Sequence, residues 1–388
     1  MSASTFMEQN KIRQFFTEKF GERGVCYFSP GRINLIGEHI DYNGGCVLPG
    51  AIDKGILAEI RPNGTATVRA WSVDLDDYAE FGLEEADKPQ ASWARYIFGV
   101  CREMIKRGAK IGGFDTVFSG DVPLGAGLSS SAALESTYAF ALNELFEAGI
   151  DQKELVLVGQ KTEHNYCGVN CGIMDQFASL FGKEGFLIRL DCSTMEYEYT
   201  PFDPKGYRLV LLDSVTKHEL VGSPYNDRRA SCERAAAAIG RKHPGVEFLG
   251  QATEAWLEEV RSEISEEDYL RALYAIQENV RLRDTVEALK RGDYETVGRC
   301  MFETHRGMSQ LYEVSTEELD FLNQIAADCG VTGSRIMGGG FGGCTLNLVK
   351  EERYEAFVET AVRQFRERYG KEPKVYPVVI SDGARRIE

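Results

Sequence analysis

Three stretches of the chain gather side chains that can do chemistry. The first is Pro30-Gly31-Arg32-Ile33-Asn34-Leu35-Ile36-Gly37-Glu38-His39-Ile40-Asp41-Tyr42-Asn43-Gly44-Gly45, with Arg32, Glu38, His39 and Asp41 set among glycines. Carboxylates and an imidazole on a loop are the usual means of fixing sugar hydroxyls, because each accepts or donates directional bonds. A solvated turn would use the same residue types. Their density between apolar Leu35-Ile36 and Val47-Leu48 favours a site. Glu38-His39 has no second His at metal-ligating spacing, which speaks against zinc.

The second stretch is Pro123-Leu124-Gly125-Ala126-Gly127-Leu128-Ser129-Ser130-Ser131, between a predicted strand and a predicted helix. Glycines let a backbone approach an anion closely. The following helix points free N–H groups and its positive end back at the loop, which suits a polyphosphate. It is not a Walker A sequence, lacking the terminal Gly-Lys-Ser/Thr. A glycine turn with serine caps is the plain alternative. The third stretch holds Glu163-His164 at a predicted helix end, then Cys167-Gly168-Val169-Asn170-Cys171-Gly172-Ile173-Met174-Asp175-Gln176. Asp175, flanked by Met174 and Phe177, suits a partly desolvated base or orienting group, or simply the cap of a helix over 176–180. Cys167 and Cys171 read as packing thiols. Gly338-Gly339-Gly340-Phe341-Gly342-Gly343 satisfies G-x-G-x-x-G, but precedes a strand instead of a helix, so the dinucleotide reading fails its context. Five glycines in six residues imply close backbone approach to a ligand or another domain.

Positioning these loops requires a mixed framework. Strands are expected over Gly55–Ile60, Ala66–Val73, Gly113–Ser119, Phe186–Leu190, Tyr207–Asp213 and Val375–Ile380. Helices are expected over Ser92–Lys106, behind Ser131 (Leu134, Tyr138, Leu142, Leu145 and Phe146 on one face), Asp151 to about Tyr166, Tyr225–Gly240, Ala272–Lys290 and Glu351–Tyr369. The order lacks regular βαβ alternation, so the expected class is α+β, with a domain boundary near residue 200 at the turn TPFDPKG.

The 388 residues are 43% apolar and 27% charged, which excludes a disordered or collagen-like chain. The net charge of −16 repels phosphate backbones and argues against a nucleic-acid partner. There is no apolar run long enough to span a membrane and no secretory signal at the start, and ten scattered Cys favour a reducing cytoplasm.

Taken together, PGRINLIGEHIDYNGG, PLGAGLSSSAALE and GGGFGGCT resemble the three motifs of the GHMP small-molecule kinases, and within them the galactokinase family. GVNCGIMDQFAS, SPYNDRRASCE, ENVRLRDTVEALKRGD and LYEVSTEELD share the resemblance, so it spans nearly the whole chain. The resemblance implies two domains, 1–200 like ribosomal protein S5 domain 2 and 201–388 ferredoxin-like, with both substrates in the cleft between them. It implies ATP phosphates held by Gly125, Ala126, Gly127, Leu128, Ser129, Ser130 and Ser131, with Ser72 near the nucleotide. It implies Mg²⁺ on Ser131 and Glu163. Glu38, His39, Ile40, Asp41 and Tyr225 would bind the sugar. Asp175 would face its anomeric hydroxyl, with Arg32 beside it stabilising charge as the phosphoryl group moves.

Position 40 departs from the family, carrying Ile where galactokinases commonly have Thr and where kinases for N-acetylgalactosamine can carry Ile. Asn43-Gly44-Gly45 follows the galactose-type pattern, so the expected reaction is ATP-dependent phosphorylation of galactose at C1. The alternatives are a kinase for a related sugar, such as N-acetylgalactosamine or galacturonate, and a non-catalytic sugar and ATP sensor. The expected partners are the sugar and the nucleotide alone, for a cytoplasmic monomer.

Overall fold

The computed structural model describes residues 3–122, 127–216 and 225–387. The strands are β1 (Val25–Asn34), β2 (Cys46–Val47), β3 (Pro49–Pro62), β4 (Thr67–Ser72), β5 (Asp77–Gly82), β6 (Phe114–Gly120), β7 (Phe186–Asp191), β8 (Tyr197–Pro201), β9 (Tyr207–Asp213), β10 (Gly333–Met337), β11 (Cys344–Lys350), β12 (Lys374–Val378) and β13 (Arg385–Ile387). The helices are α1 (Ala3–Phe20), α2 (Ser92–Lys106), α3 (Ser130–Leu145), α4 (Gln152–Thr162), α5 (Met174–Phe181), α6 (Tyr225–Lys242), α7 (Glu254–Glu259), α8 (Glu266–Lys290), α9 (Tyr294–Gln310), α10 (Glu317–Asp328) and α11 (Tyr354–Tyr369).

A six-stranded sheet runs β13-β1-β3-β6-β4-β5, antiparallel except where β4 meets β6. Side chains alternate across its strands. Cys26 and Phe28 of β1, with Leu57 and Val117, bury against Ile12 and Phe16 of α1. Tyr27, Ala58 and Phe118 point to the other face, into the main core with α2 and α3. A second, antiparallel sheet runs β10-β11-β9-β12. It divides its faces the same way. Val210, Leu212 and Val349 pack under α10 and α11. Leu209, Leu211, Leu346 and Leu348 join the main core, which therefore runs unbroken through both halves of the chain. A small sheet, β2-β7-β8, packs β7 against β3 and β8 against α8.

The α+β class is as expected, and α2 occupies its expected span because Trp93, Ala94, Ile97, Phe98, Cys101 and Met104 recur at helical spacing. Other elements differ. The strand expected over Gly55–Ile60 extends to Pro49–Pro62. β1 had no strand expectation, since its SPGRIN run is rich in strand-breaking types. The helix expected from Asp151 has that residue as its cap, the carboxylate accepting from Lys153 N–H at 2.9 Å. It then ends in one turn of π-helix over Glu163–Cys167. Across the boundary expected near 200, the last strand β13 returns to pair with β1.

Candidate active site

The centre of the site grows from an irregularity in β1. The register with β3 shifts between Pro30 and Arg32, a bulge of the kind that re-aims a side chain. Gly31 sits in it because a Cβ there would lie 2.6 Å from the Leu128 carbonyl oxygen. The Arg32 N–H donates to that same oxygen at 3.2 Å. The guanidinium then reaches in two directions. Its Nε donates to Asp175 Oδ1 at 2.8 Å, and one terminal nitrogen donates to the Gly127 carbonyl at 2.5 Å. The other Asp175 oxygen accepts from the Ser129 hydroxyl. Ser129 is in the left-handed region, φ 57°, immediately before α3. Arg32, Asp175 and the glycine-serine loop therefore form one hydrogen-bonded unit. Asp175 lies in the first turn of α5, whose cap is Ile173, so the capping alternative does not apply. Its side chain keeps 28% exposure, enough to meet a ligand.

On one side of this unit lies the loop after β1. Glu38 is 4% exposed and held by partners distant in sequence. Arg335 approaches its Oε1 at 2.7 Å and Gly338 N–H donates to the same atom at 2.9 Å. Burial alone would push this carboxyl up, but Arg335 and Arg32 outweigh it and hold it below the usual range. His39 is buried, with Nδ1 2.7 Å from the Tyr42 hydroxyl and Nε2 3.0 Å from the Gly339 carbonyl. Burial takes its pKa down to about 4, so the ring is neutral, with Nε2 as the donor and Nδ1 as the acceptor. Asp41 is pushed up to about 6, chiefly by burial and also by the charges of Asp175 and Glu38. Tyr225 opens α6, its ring centroid 5.4 Å from that of His39. Burial and the carboxylates of Asp41, Asp175 and Glu38 push its phenol up.

On the other side are Ser131, in the first turn of α3, and Glu163, in the π-helical turn. The hydroxyl donates to the carboxylate at 2.9 Å. Burial pushes Glu163 up, and the charge of Asp175 adds to it. Glu135, one turn further along α3, is pushed up strongly by burial and by Glu163. No group of three or more His, Cys, Asp or Glu that could cage a metal occurs among the described residues.

Arg32, Glu38, His39, Asp41, Asp175, Tyr225, Gly127, Leu128, Ser129, Ser130, Ser131 and Glu163 thus converge from β1, its loop, α3, α5, α6 and the end of α4. Gly125 and Ala126 lie outside the described residues. Two expected site residues are fully covered. Ile40 has no exposed surface and packs in the main core, seating the loop. Ser72 is 1% exposed at the end of β4, paired with Phe118. Sequence reasoning missed Arg335 and Tyr274. Arg335 is wholly buried, donating to the carbonyls of Asn34 at 2.8 Å and Ile336 at 2.7 Å. Tyr274 donates to the Glu38 carbonyl at 3.1 Å. Arg335 stands three residues before the third glycine stretch, and that proximity was its one visible signal. The glycines themselves meet protein. Gly338 and Gly339 engage Glu38 and His39, and Phe341 N–H donates to the Val314 carbonyl at 2.7 Å.

Comparison with known proteins places this geometry. The family described as galactokinase galactose-binding signature matches residues 14–62. GHMP kinases N terminal domain matches 95–183, and GHMP kinases C terminal matches 285–367. The chain is 42% identical to the galactokinase of Clostridium acetobutylicum, over 93% of this chain and 94% of that one. It is 39% identical to that of Fusobacterium nucleatum, over 98% and 100%. The fold superposes on Lactococcus lactis galactokinase, solved with galactose, at a TM-score of 0.91 and 34% identity, covering 97% and 98% of the two chains. Methanococcus jannaschii mevalonate kinase shares the fold at a TM-score of 0.66 and 17% identity, covering 94% and 100%.

Proposed function

The chain belongs to the galactokinases of the GHMP kinase superfamily, and from that membership we propose how its own residues carry a phosphoryl group from ATP to the C1 hydroxyl of galactose. The enzyme phosphorylates galactose, releasing galactose 1-phosphate and ADP. A kinase for N-acetylgalactosamine and a non-catalytic sensor are not favoured.

The carrying observation is the Arg32–Asp175 pair bonded to both Gly127 and Ser129 of the phosphate loop. It sets the sugar's acceptor next to the nucleotide's loop, and phosphoryl transfer depends chiefly on such positioning and on charge neutralisation. Glu38, Asp41 and Tyr225 hold the sugar hydroxyls, while His39 orders the loop through Tyr42 and Gly339. Asp175 accepts the hydrogen bond, and then the proton, of the C1 hydroxyl. The C1 oxygen bonds to the γ-phosphorus as the bond from phosphorus to the β,γ-bridging oxygen breaks. Arg32 stabilises the charge that builds between them. The open end of α3, with Ser129 before it and Ser130 and Ser131 in its first turn, cradles the leaving phosphates.

Ser131 and Glu163 suit Mg²⁺. They supply two hard oxygen ligands, and Glu163 stands close to Asp175 with no cation paired to it among the described residues. A bound Mg²⁺ would neutralise charge on the β- and γ-phosphates. We further propose a division near residue 200 and a monomeric, cytoplasmic protein without nucleic-acid partners. All ten cysteines are free thiols, no helix among the described residues is long and apolar enough to cross a membrane, and the charge is −16.

Steady-state ADP release with galactose tests the reading, using wild type and Asp175→Asn. The variant keeps the shape but loses the proton acceptor, so turnover falls by about 10³-fold while ATP still binds. Wild-type turnover in the variant would remove Asp175 from the reaction.

A further inference from the structure

The turn that presents Glu38 is gripped from the far half of the chain. Gly37 has φ +99°, a conformation glycine tolerates and other residues resist. Its N–H points at Glu278 of α8, donating to Oε1 at 2.8 Å across 241 residues of sequence. Glu278 has no exposed surface. Its second oxygen accepts from Arg281 Nε at 2.8 Å and from the Thr304 hydroxyl of α9 at 2.8 Å. One residue further along the turn, Tyr274 of the same helix α8 bonds the Glu38 carbonyl. Glu278 thus lies outside the three glycine-rich stretches yet makes a charge-assisted bond to the peptide next to a proposed sugar ligand.

A buried, paired carboxylate is a weak source of stability, since desolvation offsets the attraction and an apolar replacement often does as well. An apolar side chain cannot accept an N–H. What Glu278 supplies specifically is a fixed acceptor for the Gly37 peptide. We propose that Glu278 is a positioning residue for the sugar site. Through Gly37 it sets where the Glu38 carboxylate stands, and through Arg281 and Thr304 it ties that placement to the packing of α8 on α9. The proposal rests on galactose being the substrate and deepens that reading. It assigns part of sugar affinity to a residue that does not touch the sugar.

The test is steady-state kinetics of full-length Glu278→Gln and Thr304→Val, varying galactose and ATP separately. The glutamine keeps the shape but loses the charge that binds Gly37 and Arg281 together. The galactose KM rises about tenfold, with the ATP KM within about twofold and kcat within about threefold. Thr304→Val removes one donor and no charge, so the galactose KM rises by about threefold. Monodeoxygalactoses supply a readout that general weakening would not give. The Glu278→Gln penalty disappears for the analogue whose binding is insensitive to Glu38→Gln, and persists for the others.

Several results would overturn the proposal. One is a lower melting temperature with both KM values unchanged, and another is a parallel rise in the galactose and ATP KM. A third is an equal penalty across the deoxy series. If Glu278→Gln does not fold, Thr304→Val decides alone, an unchanged galactose KM counting against the clamp. A wild type without galactose-dependent ADP release would sink the functional reading, and this proposal with it. An active wild type with unaffected variants sinks only the proposal.

Discussion

The two sides of the site are built on opposite electrostatic terms. On the sugar side, Asp41 apart, the buried charges have partners supplied by the protein. Glu38 has Arg335 and Gly338, Glu278 has Arg281, and Arg32 has Asp175. On the phosphate side, Glu163 is met by the Ser131 hydroxyl and the Cys171 thiol, and it faces Asp175 and Glu135 with no guanidinium or ammonium paired to it among the described residues. The difference teaches which substrate each side awaits. A neutral sugar brings no charge, so its site must be balanced beforehand, and preorganisation lowers the cost of ordering groups on binding. A nucleotide arrives with cations, so carboxylates there can stay uncompensated until it does. This also explains the opposite shifts, with Glu38 held low and Glu163 pushed high although both are buried.

Removing Arg335 should break the balanced side most severely. Arg335→Met leaves Glu38 buried without its counter-charge, a loss of about 3–5 kcal/mol where such pairs are broken. Urea unfolding should show a clearly lower midpoint, and adding Glu38→Gln to the same chain should restore most of it, though not galactose turnover. A single variant as stable as wild type would mean that water or backbone compensates Glu38, and the contrast between the two sides would lose its basis.

The same operation on the other side should run the opposite way. Glu163→Gln removes a charge that burial and Asp175 already disfavour. The fold holds the Glu163 proton more tightly than the unfolded chain does, so ionisation opposes folding as pH rises above the ordinary carboxylate range. At neutral pH the variant should therefore be as stable as wild type or slightly more so. Its cost should fall on metal use, with about tenfold more Mg²⁺ needed for half-maximal activity. A destabilised Glu163→Gln with unchanged Mg²⁺ demand would make Glu163 a structural residue and remove it from the proposed ligand set.

How far the sequence could reveal this contrast depended on the range of the interactions. Local pattern was readable. The α2 periodicity, the Asp151 cap and the glycine-serine loop before α3 each rest on residues within a few positions of one another. So was the clustering of polar types at Arg32 to Asp41, which the structure brings close to Asp175. The counter-charges were not readable. Arg335 meets Glu38 across 297 residues and Glu278 meets Gly37 across 241, and neither the place of Arg335 near a glycine stretch nor that of Glu278 in ENVRLRDTVEALKRGD says which distant residue it would pair with. β1 stayed hidden because its Pro and Gly, which argue against a strand, serve the bulge that aims Arg32. The burial of Ile40 was not readable either, because its place between two polar residues gives no sign that the turn sends its side chain inward.

Asp41 is the sugar-side carboxyl without an ion pair among the described residues, and its pH dependence gives the smallest and finest test. Its carboxyl is pushed up to about 6, chiefly by burial and then by the charges of Asp175 and Glu38. Folded, Asp41 keeps its proton up to about pH 6, whereas unfolded it loses it near the ordinary value of about 4. Between those values the folded state binds more protons, so stability falls as pH rises, and Asp41→Asn should lack that fall. The variant should match wild type below about pH 4 and exceed it modestly above 6. Activity should move inversely, because only the ionised carboxylate accepts hydrogen bonds with both oxygens. For wild type, kcat/KM for galactose should bend downward near pH 6 and approach a tenfold loss per unit below it, reporting the free enzyme. In Asp41→Asn the plateau should be lower and that bend absent. A bend surviving unchanged in the asparagine variant would transfer it to another group, with Glu163, the raised carboxyl of the opposite side, the first to examine by the same substitution.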